Sequence, residues 1–432
     1  MNKAFKYRFY PSAEQTELLL KTFGCCRYVW NALLEWRSKE YQLKANKINY
    51  SKSCLKLTDI KKEIEWLNDV SSVALQQSLR NQDAAFSNFF KKIAKYPTLK
   101  KKNNNQSFRL TNCGFNIKDG KVYIAKNKQP LDIVWSQPLL GEVNSITISK
   151  DCANRYFISF GTEVDIEQLP ILNNIIGIDL GLKDFAITSD GEKHNPTKSF
   201  LRYQKLLKKV QRRLAKKVKG SKNRNKVRIK VAKVHNKIAD SRKDFLHKLS
   251  TKLIRENQTI AIEDLNVKGM IKNHKLAKHI QNASWSEFVR QLKYKAEWYG
   301  RTIVQISPWF PSSKLCSDCG FKVAKMPLDI REWTCSNCNE THDRDVNAAI
   351  NIRTAGQAEL VCGDSSTGAD VVQTATVGKN LRSRKLSTAR RLESPPFRAG
   401  EDVKECEYLI GEREYSHQLW LDSIPPDFGT YD

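Results

Sequence analysis

The chain has 432 residues, 40% of them hydrophobic and 28% charged, which allows roughly two to four domains, each with its own core. It contains no run of 18 or more apolar residues, which argues against a membrane span, and "MNKAFKYRFYPSAEQ" lacks the apolar core of a signal peptide, so the expected location is the cytosol or the nucleoid. The formal net charge is +28; residues 401–432 hold nine acids and two bases, which leaves +35 on the first 400, an excess that points to nucleic acid as a partner.

A short strand, "KAFKYRFY", opens the chain. Pro11 and the capping box formed by Ser12 and Gln15 then start a helix expected to reach about Tyr41, with Leu19, Phe23, Trp30, Leu33 and Leu34 at helical spacing. In "SSVALQQSLRNQDAAFSNFFKKIAK", Leu75, Leu79, Phe86, Phe90 and Ile93 form an apolar stripe. Gln77, Arg80, Asn81 and Asn88 fall on the opposite face, where they are either solvated or able to read base edges. From Ser107 to Val164 short alternating stretches such as "SITIS" and "RYFISF", separated by turn signals, predict a strand-rich module of small-barrel type. If it pairs with the N-terminal strand, the first helices are an insertion.

"IIGIDLGLKDFAIT", residues 175–188, predicts two strands joined by a tight turn at Lys183-Asp184. Residues 202–237 then contain sixteen Lys or Arg and no Asp or Glu. A partial stripe of Leu206, Leu207, Val210 and Leu214, broken at "KGSKNRN", predicts two basic helices. Without acids at i,i+4 to compensate, like charges repel, and a phosphate backbone is the natural neutraliser. A strand at "TIAIED", an amphipathic helix at "WSEFVRQLKYKAEWYG", a strand at "RTIVQI" and a helix near Asp345 follow. Beyond about Gly356 the chain turns Gly, Ser and Thr rich and then acidic, which predicts a flexible tail dispensable for chemistry.

Strand alternation places Ile176, Ile178 and Leu180 on one face and Asp179 on the other, between Gly177 and Gly181. The two glycines are expected to leave room for a metal and a bulky substrate. Glu263 repeats the pattern in its own strand. Asp345 opens "DVNAAINIR", where an acid also serves as a helix cap, and Asp343 competes with it for the third position. Three such acids suit Mg²⁺, and two ions about 4 Å apart can activate water and stabilise the leaving oxygen of a phosphodiester. Glycosidase-type chemistry needs only two acids and gives no reason for the basic helices.

Eleven cysteines without a secretory signal argue against a disulfide framework. Cys316, Cys319, Cys335 and Cys338 form C-x₂-C-x₁₅-C-x₂-C, the spacing of one structural Zn²⁺ site with all four positions filled by sulfur. The remaining seven, including Cys25 and Cys26, are expected to be small buried hydrophobes. His342 is either a hydrogen-bond donor near the clip or a surface residue.

Together, "GIDLGLKDFAITSDG", "IAIEDLNVKGM", the paired cysteines and "HDRDVNAAINI", with the opening "YRFYPSAEQ" and "FGCCRYVWNALLEW", resemble the TnpB (OrfB) proteins of insertion sequences, relatives of type V CRISPR effectors. The resemblance covers residues 1–355. It implies a multidomain α/β fold: a wedge β-barrel (1–10 and 105–165), a helical recognition domain (11–104), a RuvC-like, RNase H-type nuclease domain (166–312 and 341–356), a zinc finger (313–340) and a flexible acidic tail (357–432). It further implies an RNA-guided DNA endonuclease that uses a guide RNA from the element and needs a short motif beside its double-stranded target. Asp179, Glu263 and Asp345 match the three nuclease motifs. Gln77, Arg80 and Asn81 lie in the region that inspects the duplex, and Lys205, Lys208, Arg212 and Arg213 are candidates for backbone contacts along the heteroduplex. The competing expectations are a guide-bound regulator that does not cut and a DDE-type transposase on the same fold.

Overall fold

The computed structural model describes residues 1–363, apart from residue 328. It opens with β1 (Asn2–Phe9), α1 (Ala13–Lys44), α2 (Tyr50–Glu63) and α3 (Ser72–Phe90). Strands β2 (Gln106–Thr111), β3 (Phe115–Lys118), β4 (Lys121–Ile124), β5 (Ile133–Val134), β6 (Glu142–Lys150) and β7 (Tyr156–Glu163) follow. The capping box holds: Gln15 N–H donates to Ser12 Oγ at 3.2 Å and Ser12 N–H to Gln15 Oε1 at 3.1 Å.

β1 runs antiparallel to β7 along its whole length, so the helices between them are an insertion. As hydrogen-bonded, the sheet has the order β2-β6-β7-β1-β5, with β2 and β5 as its ends; it is an open sheet rather than the closed barrel the spacing suggested. Helices do the work that closure would have done: Leu19, Phe23 and Val29 of α1 and Leu75 and Leu79 of α3 share one core with Phe5, Tyr7, Phe9, Ile146, Ile148, Ile158 and Phe160. Burying each such side chain stabilises by roughly 1.5–3 kcal/mol.

The predicted stripe on α3 ends early. The helix stops at Phe90, and Phe90 and Ile93 are 68% and 72% exposed, because the chain turns away before they can reach the core. Gln77 is a second correction: only 9% exposed, it lies on the packed flank with Ala74 and Ser78, whereas Arg80 and Asn81 are exposed. Of the other cysteines, Cys25 and Cys26 are buried, Cys54 is half-buried and packs against the same core, and Cys113 and Cys152 are exposed, so small-hydrophobe packing does not account for the last two; Cys406 lies outside the described residues.

The second half contains β8 (Ile175–Asp179), β9 (Ala186–Thr188), β10 (Lys193–His194), α4 (Lys198–Ala215), α5 (Lys222–Glu256), β11 (Thr259–Glu263), α6 (Val267–Met270), α7 (Ala277–Ala283), α8 (Trp285–Tyr299), β12 (Thr302–Ile306), β13 (Glu332–Thr334), β14 (Thr341–Asp343) and α9 (Arg344–Gly363). The connection between β8 and β9 spans residues 180–185, longer than a two-residue turn. Its sheet has the order β10-β9-β8-β11-β12, with β8, β11 and β12 parallel.

Parallel strands are covered on both faces. Ile176, Ile178, Ile260 and Ile262 pack on one side against Leu246, Leu249 and Leu253 of α5 and Trp285, Phe288 and Leu292 of α8. On the other side Ala261, Val304 and Ile306 meet Ile352, Ala355 and Leu360 of α9. Leu360 contributes because α9 continues past Gly356, where the tail was expected to start; a Cβ on Gly356 would come within 2.5 Å of Ala261 Cβ, so the glycine is a helix-to-sheet contact and not a helix end. The expectation of a flexible, dispensable tail otherwise falls on residues 364–432, outside those described.

Candidate active site and metal clip

Asp179 ends β8 and Glu263 ends β11. The strands pair in parallel with Ile178 opposite Ile262, so the next residue on each is an acid pointing to the α9 side. The first turn of α9 supplies Asp345 on that same face. Burial pushes the Asp179 carboxyl up to about 7, and the charges of Glu263 and Asp345 push it the same way, against the opposing pull of Arg344. All three predicted acids are therefore electrostatic neighbours. Each keeps part of its surface open.

The glycines beside Asp179 do not create the room expected of them. A Cβ on Gly177 would lie 2.1 Å from Ala349 O and 2.5 Å from Arg353 N, and one on Gly181 would lie 2.7 Å from Asp184 O. Protein already fills both spaces. Gly177 instead lets α9 press on the sheet, which brings Asp345 to the strand ends.

Asp343 and Asp345 have different tasks. Asp343 Oδ1 accepts the N–H groups of Asp345 and Val346 at 3.0 and 3.1 Å, and Lys193 Nζ lies 2.6 Å from its Oδ2. Burial raises the Asp343 carboxyl, but Lys193 and the two amides outweigh it and hold it below the usual range. Asp343 is the helix cap; Asp345 is free of that duty and pairs with Arg331 at 3.0 Å.

Cys316, Cys319, Cys335 and Cys338 place their sulfurs within 4.8 Å of one another. The Cys316–Cys338 and Cys319–Cys335 separations are both 3.6 Å, close to the edge of about 3.8 Å for a tetrahedron with Zn–S bonds of about 2.3 Å. The donor set is thus compatible with a structural zinc. Among the described residues these four are the only such group at that spacing; the carboxylate oxygens are spread more widely. His342 is buried, its Nε2 3.1 Å from Cys316 Sγ and its ring 5.0 Å from that of Trp333, so it belongs to the clip and not to the surface.

Two asparagines, missed in the sequence, join clip to carboxylates. Asn347 donates to Leu315 O at 2.7 Å and accepts Ser317 N–H at 2.9 Å; Asn351 donates to Ser312 O at 2.8 Å and Leu315 O at 2.7 Å. Ser312 Oγ in turn donates to Glu263 Oε1 at 2.5 Å. The available signal was two amides four residues apart among the alanines of "DVNAAINI". Arg344, also missed, is buried and donates to Pro327 O at 2.9 Å, anchoring the loop that carries Arg331. Asn351→Ala should therefore destabilise the chain by about 1–3 kcal/mol, because the buried Ser312 carbonyl loses its partner; thermal melting beside the wild type checks this, and an unchanged melting temperature would refute it.

The predicted nucleic-acid contacts lie elsewhere. Lys205, Lys208, Arg212 and Arg213 are exposed along α4 and, with Lys209 and Lys216, line an open groove of about 520 Å³. α4 packs on α5 through Phe200, Val210, Val234 and Ile238, so the cationic face is turned outward. Arg80 and Asn81 belong to the N-terminal half, where the Arg80 guanidinium lies 4.6 Å from the centre of the Tyr50 ring.

Residues 159–274 match the family OrfB_IS605, described as "Probable transposase", and residues 285–352 match "Cas12f1-like, TNB domain". Residues 1–46 match a "Helix-turn-helix domain", although here they form one strand and one long helix. A Streptomyces pristinaespiralis protein named "Putative RNA-guided DNA endonuclease" is 48% identical over 369 residues, covering 84% of this chain and 92% of that protein. The chain belongs to the TnpB (OrfB) family. A second member, InsQ of Escherichia coli (strain K12), with the same descriptive name, is 32% identical to this TnpB-family chain over 387 residues, 84% of the chain and 94% of InsQ. The fold is also similar to the protein in "Cryo-EM structure of the Cas12f1-sgRNA-target DNA complex", with a TM-score of 0.53 at 13% identity over 82% of this chain and 98% of that one. Among the described residues no helix is long and apolar enough to cross a membrane.

Proposed function

We propose that this TnpB-family chain is an RNA-guided DNA endonuclease, acting at the nucleoid, that hydrolyses target phosphodiesters at Asp179, Glu263 and Asp345. The observation that carries the reading is the convergence of these acids, from β8, β11 and α9, on one face of a mixed sheet. The names of the relatives support it. In this reading the β8–β12 sheet with its helices is the RuvC-like domain, the clip its zinc finger, the β1–β7 sheet the wedge module and α1–α3 the recognition helices.

The acids suit Mg²⁺: burial first, and then the charges of Glu263 and Asp345, push the Asp179 carboxyl up, and a divalent cation would offset both. When bound, Mg²⁺ supplies Lewis-acid polarisation of the phosphodiester and of water, and two ions would divide that work. The chain's own contribution is placement. Ser312 fixes the Glu263 carboxylate, Asp343 caps the helix that presents Asp345, and Arg344 offsets charge at Asp179. Sequence comes from pairing between a guide RNA and the target strand, while the exposed cations of α4 neutralise backbone phosphate.

The test is reconstitution. Protein purified with its copurifying RNA should introduce breaks in a matching duplex beside a short flanking motif, and only with Mg²⁺ and guide present. Tight guided binding without breaks would convert the protein to a regulator. Only the word "transposase" in the family description favours strand transfer, and joined products in the same assay would overturn hydrolysis as the reaction.

A further inference from the structure

Trp309 is 89% exposed, more than any other large hydrophobic side chain among the described residues. An indole offers one of the largest burial gains of any side chain, so its exposure on an ordered loop calls for a reason. The loop is built to hold it out. Phe310 beside it packs with Ala261, Val304, Ile306 and Ile352, while Trp309 N–H donates to Ser307 Oγ at 3.3 Å and Phe310 N–H to Ser307 O at 3.0 Å. Pro308 and Pro311 stiffen both sides.

Both feet of this loop stand on Glu263. Ile306, three residues before Trp309, is the register partner of Glu263 in the β11–β12 pair. Ser312, three residues after it, donates to the Glu263 carboxylate. Three residues span at most about 10 Å, so the Trp309 backbone lies within about that distance of both residues that meet Glu263, at the apex of a loop anchored at both ends.

We infer that Trp309 is a stacking platform for an unpaired nucleobase of the DNA strand entering the carboxylate site. This rests on the endonuclease reading above. A base inside a DNA duplex has both faces covered by its neighbours, so the open face of an exposed indole favours an unpaired base, and stacking of this kind tolerates any sequence. A chain with a net charge of +28 supplies the attraction that brings such a strand in. The platform would set where the strand lies relative to the acids, and so makes Trp309 a positioning residue.

The full-length protein with its copurified guide, carrying 5-fluorotryptophan, gives one fluorine resonance for each of its nine tryptophans, with Trp309 assigned through Trp309→Phe. Without divalent cation, an unpaired oligodeoxythymidylate should move the Trp309 resonance, and the same oligonucleotide in a duplex should not. Trp309→Ala should weaken oligonucleotide binding about tenfold and Trp309→Phe much less, with the melting temperature unchanged because the side chain is exposed. A resonance unmoved at saturation, or equal affinity in Trp309→Ala, overturns the inference. So does a wild-type dimer that Trp309→Ala dissociates, which would assign the indole to a second copy. Absence of Mg²⁺-dependent cutting with a normal resonance shift would instead strike the nuclease reading alone.

Discussion

Asp179→Asn is expected to lower strand scission roughly 10⁴-fold and, in the same protein, to raise the melting temperature of the cation-free form at pH 7.5. The two effects share one cause. Asp179 is a carboxylate that burial and two neighbouring acids push up to about 7, so the folded state holds a proton that the unfolded chain, with its ordinary value near 3.9, has released. Between those values the native state binds more protons than the unfolded state. Stability from this group is therefore present below the unfolded value and is lost as pH rises toward 7. The full shift corresponds to about 4 kcal/mol, which the partial solvent access of this carboxylate reduces to about 1–3 kcal/mol. An amide removes the charge and with it the penalty, so melting curves in EDTA should fall between pH 5 and 7.5 for the wild type and stay flatter for Asp179→Asn. Mg²⁺ should restore the wild type and do little for the variant. A variant that melts lower than the wild type at pH 7.5 would mean that the Asp179 charge is satisfied by something other than a cation, and the reading of the site would fail with it.

The three acids were legible because each sits at the end of a strand or the start of a helix whose periodicity marks it. Ile176 and Ile178 fix the facing of Asp179, and Ile260 and Ile262 that of Glu263. The reason for the flanking glycines was not legible. A glycine that admits a substrate and one that admits a helix look alike in one dimension, and only the approach of Ala349 and Arg353 distinguishes them. The same limit applies to Gln77: amphipathic spacing separates two faces of α3, but the flanks go to whichever neighbour packs closer, and here that covers Gln77 while leaving Arg80 and Asn81 open. Helix ends misled for a related reason. Gly356 and the residues after it read as a helix stop, yet contact with Ala261 holds α9 together through that point. The hydrogen bonds of Asn347, Asn351 and Ser312 join positions up to 49 residues apart, and no local pattern announces them.

Cys335→Ser should remove zinc and, through it, most of the cutting, while the sheet that carries Asp179 and Glu263 stays folded. The clip holds little of its own: its hydrophobic cluster is Cys316, Trp333 and Cys335, with Val323 and Met326 alongside. A core that small cannot order the segment alone, whereas zinc bound by four thiolates contributes about 10–16 kcal/mol in isolated finger peptides. Loss of the ion frees the 312–317 segment from Asn347 and Asn351, releases Ser312 from Glu263, and lets Pro327 leave Arg344 and Arg331 leave Asp345. The cores formed by α5 and α8 on one face and α9 on the other contain none of these cysteines. Metal analysis should therefore read one zinc per wild-type chain and none in Cys335→Ser. Trypsin should cut the variant, and not the wild type, at Lys322, Lys325 or Arg331, and circular dichroism should change little. Guide RNA should remain bound, since the α4 face is untouched. If the zinc-free variant cut at the wild-type rate, the clip would be an independent module, and the contacts of Asn351 and Ser312 would carry no more than surface hydrogen bonds do.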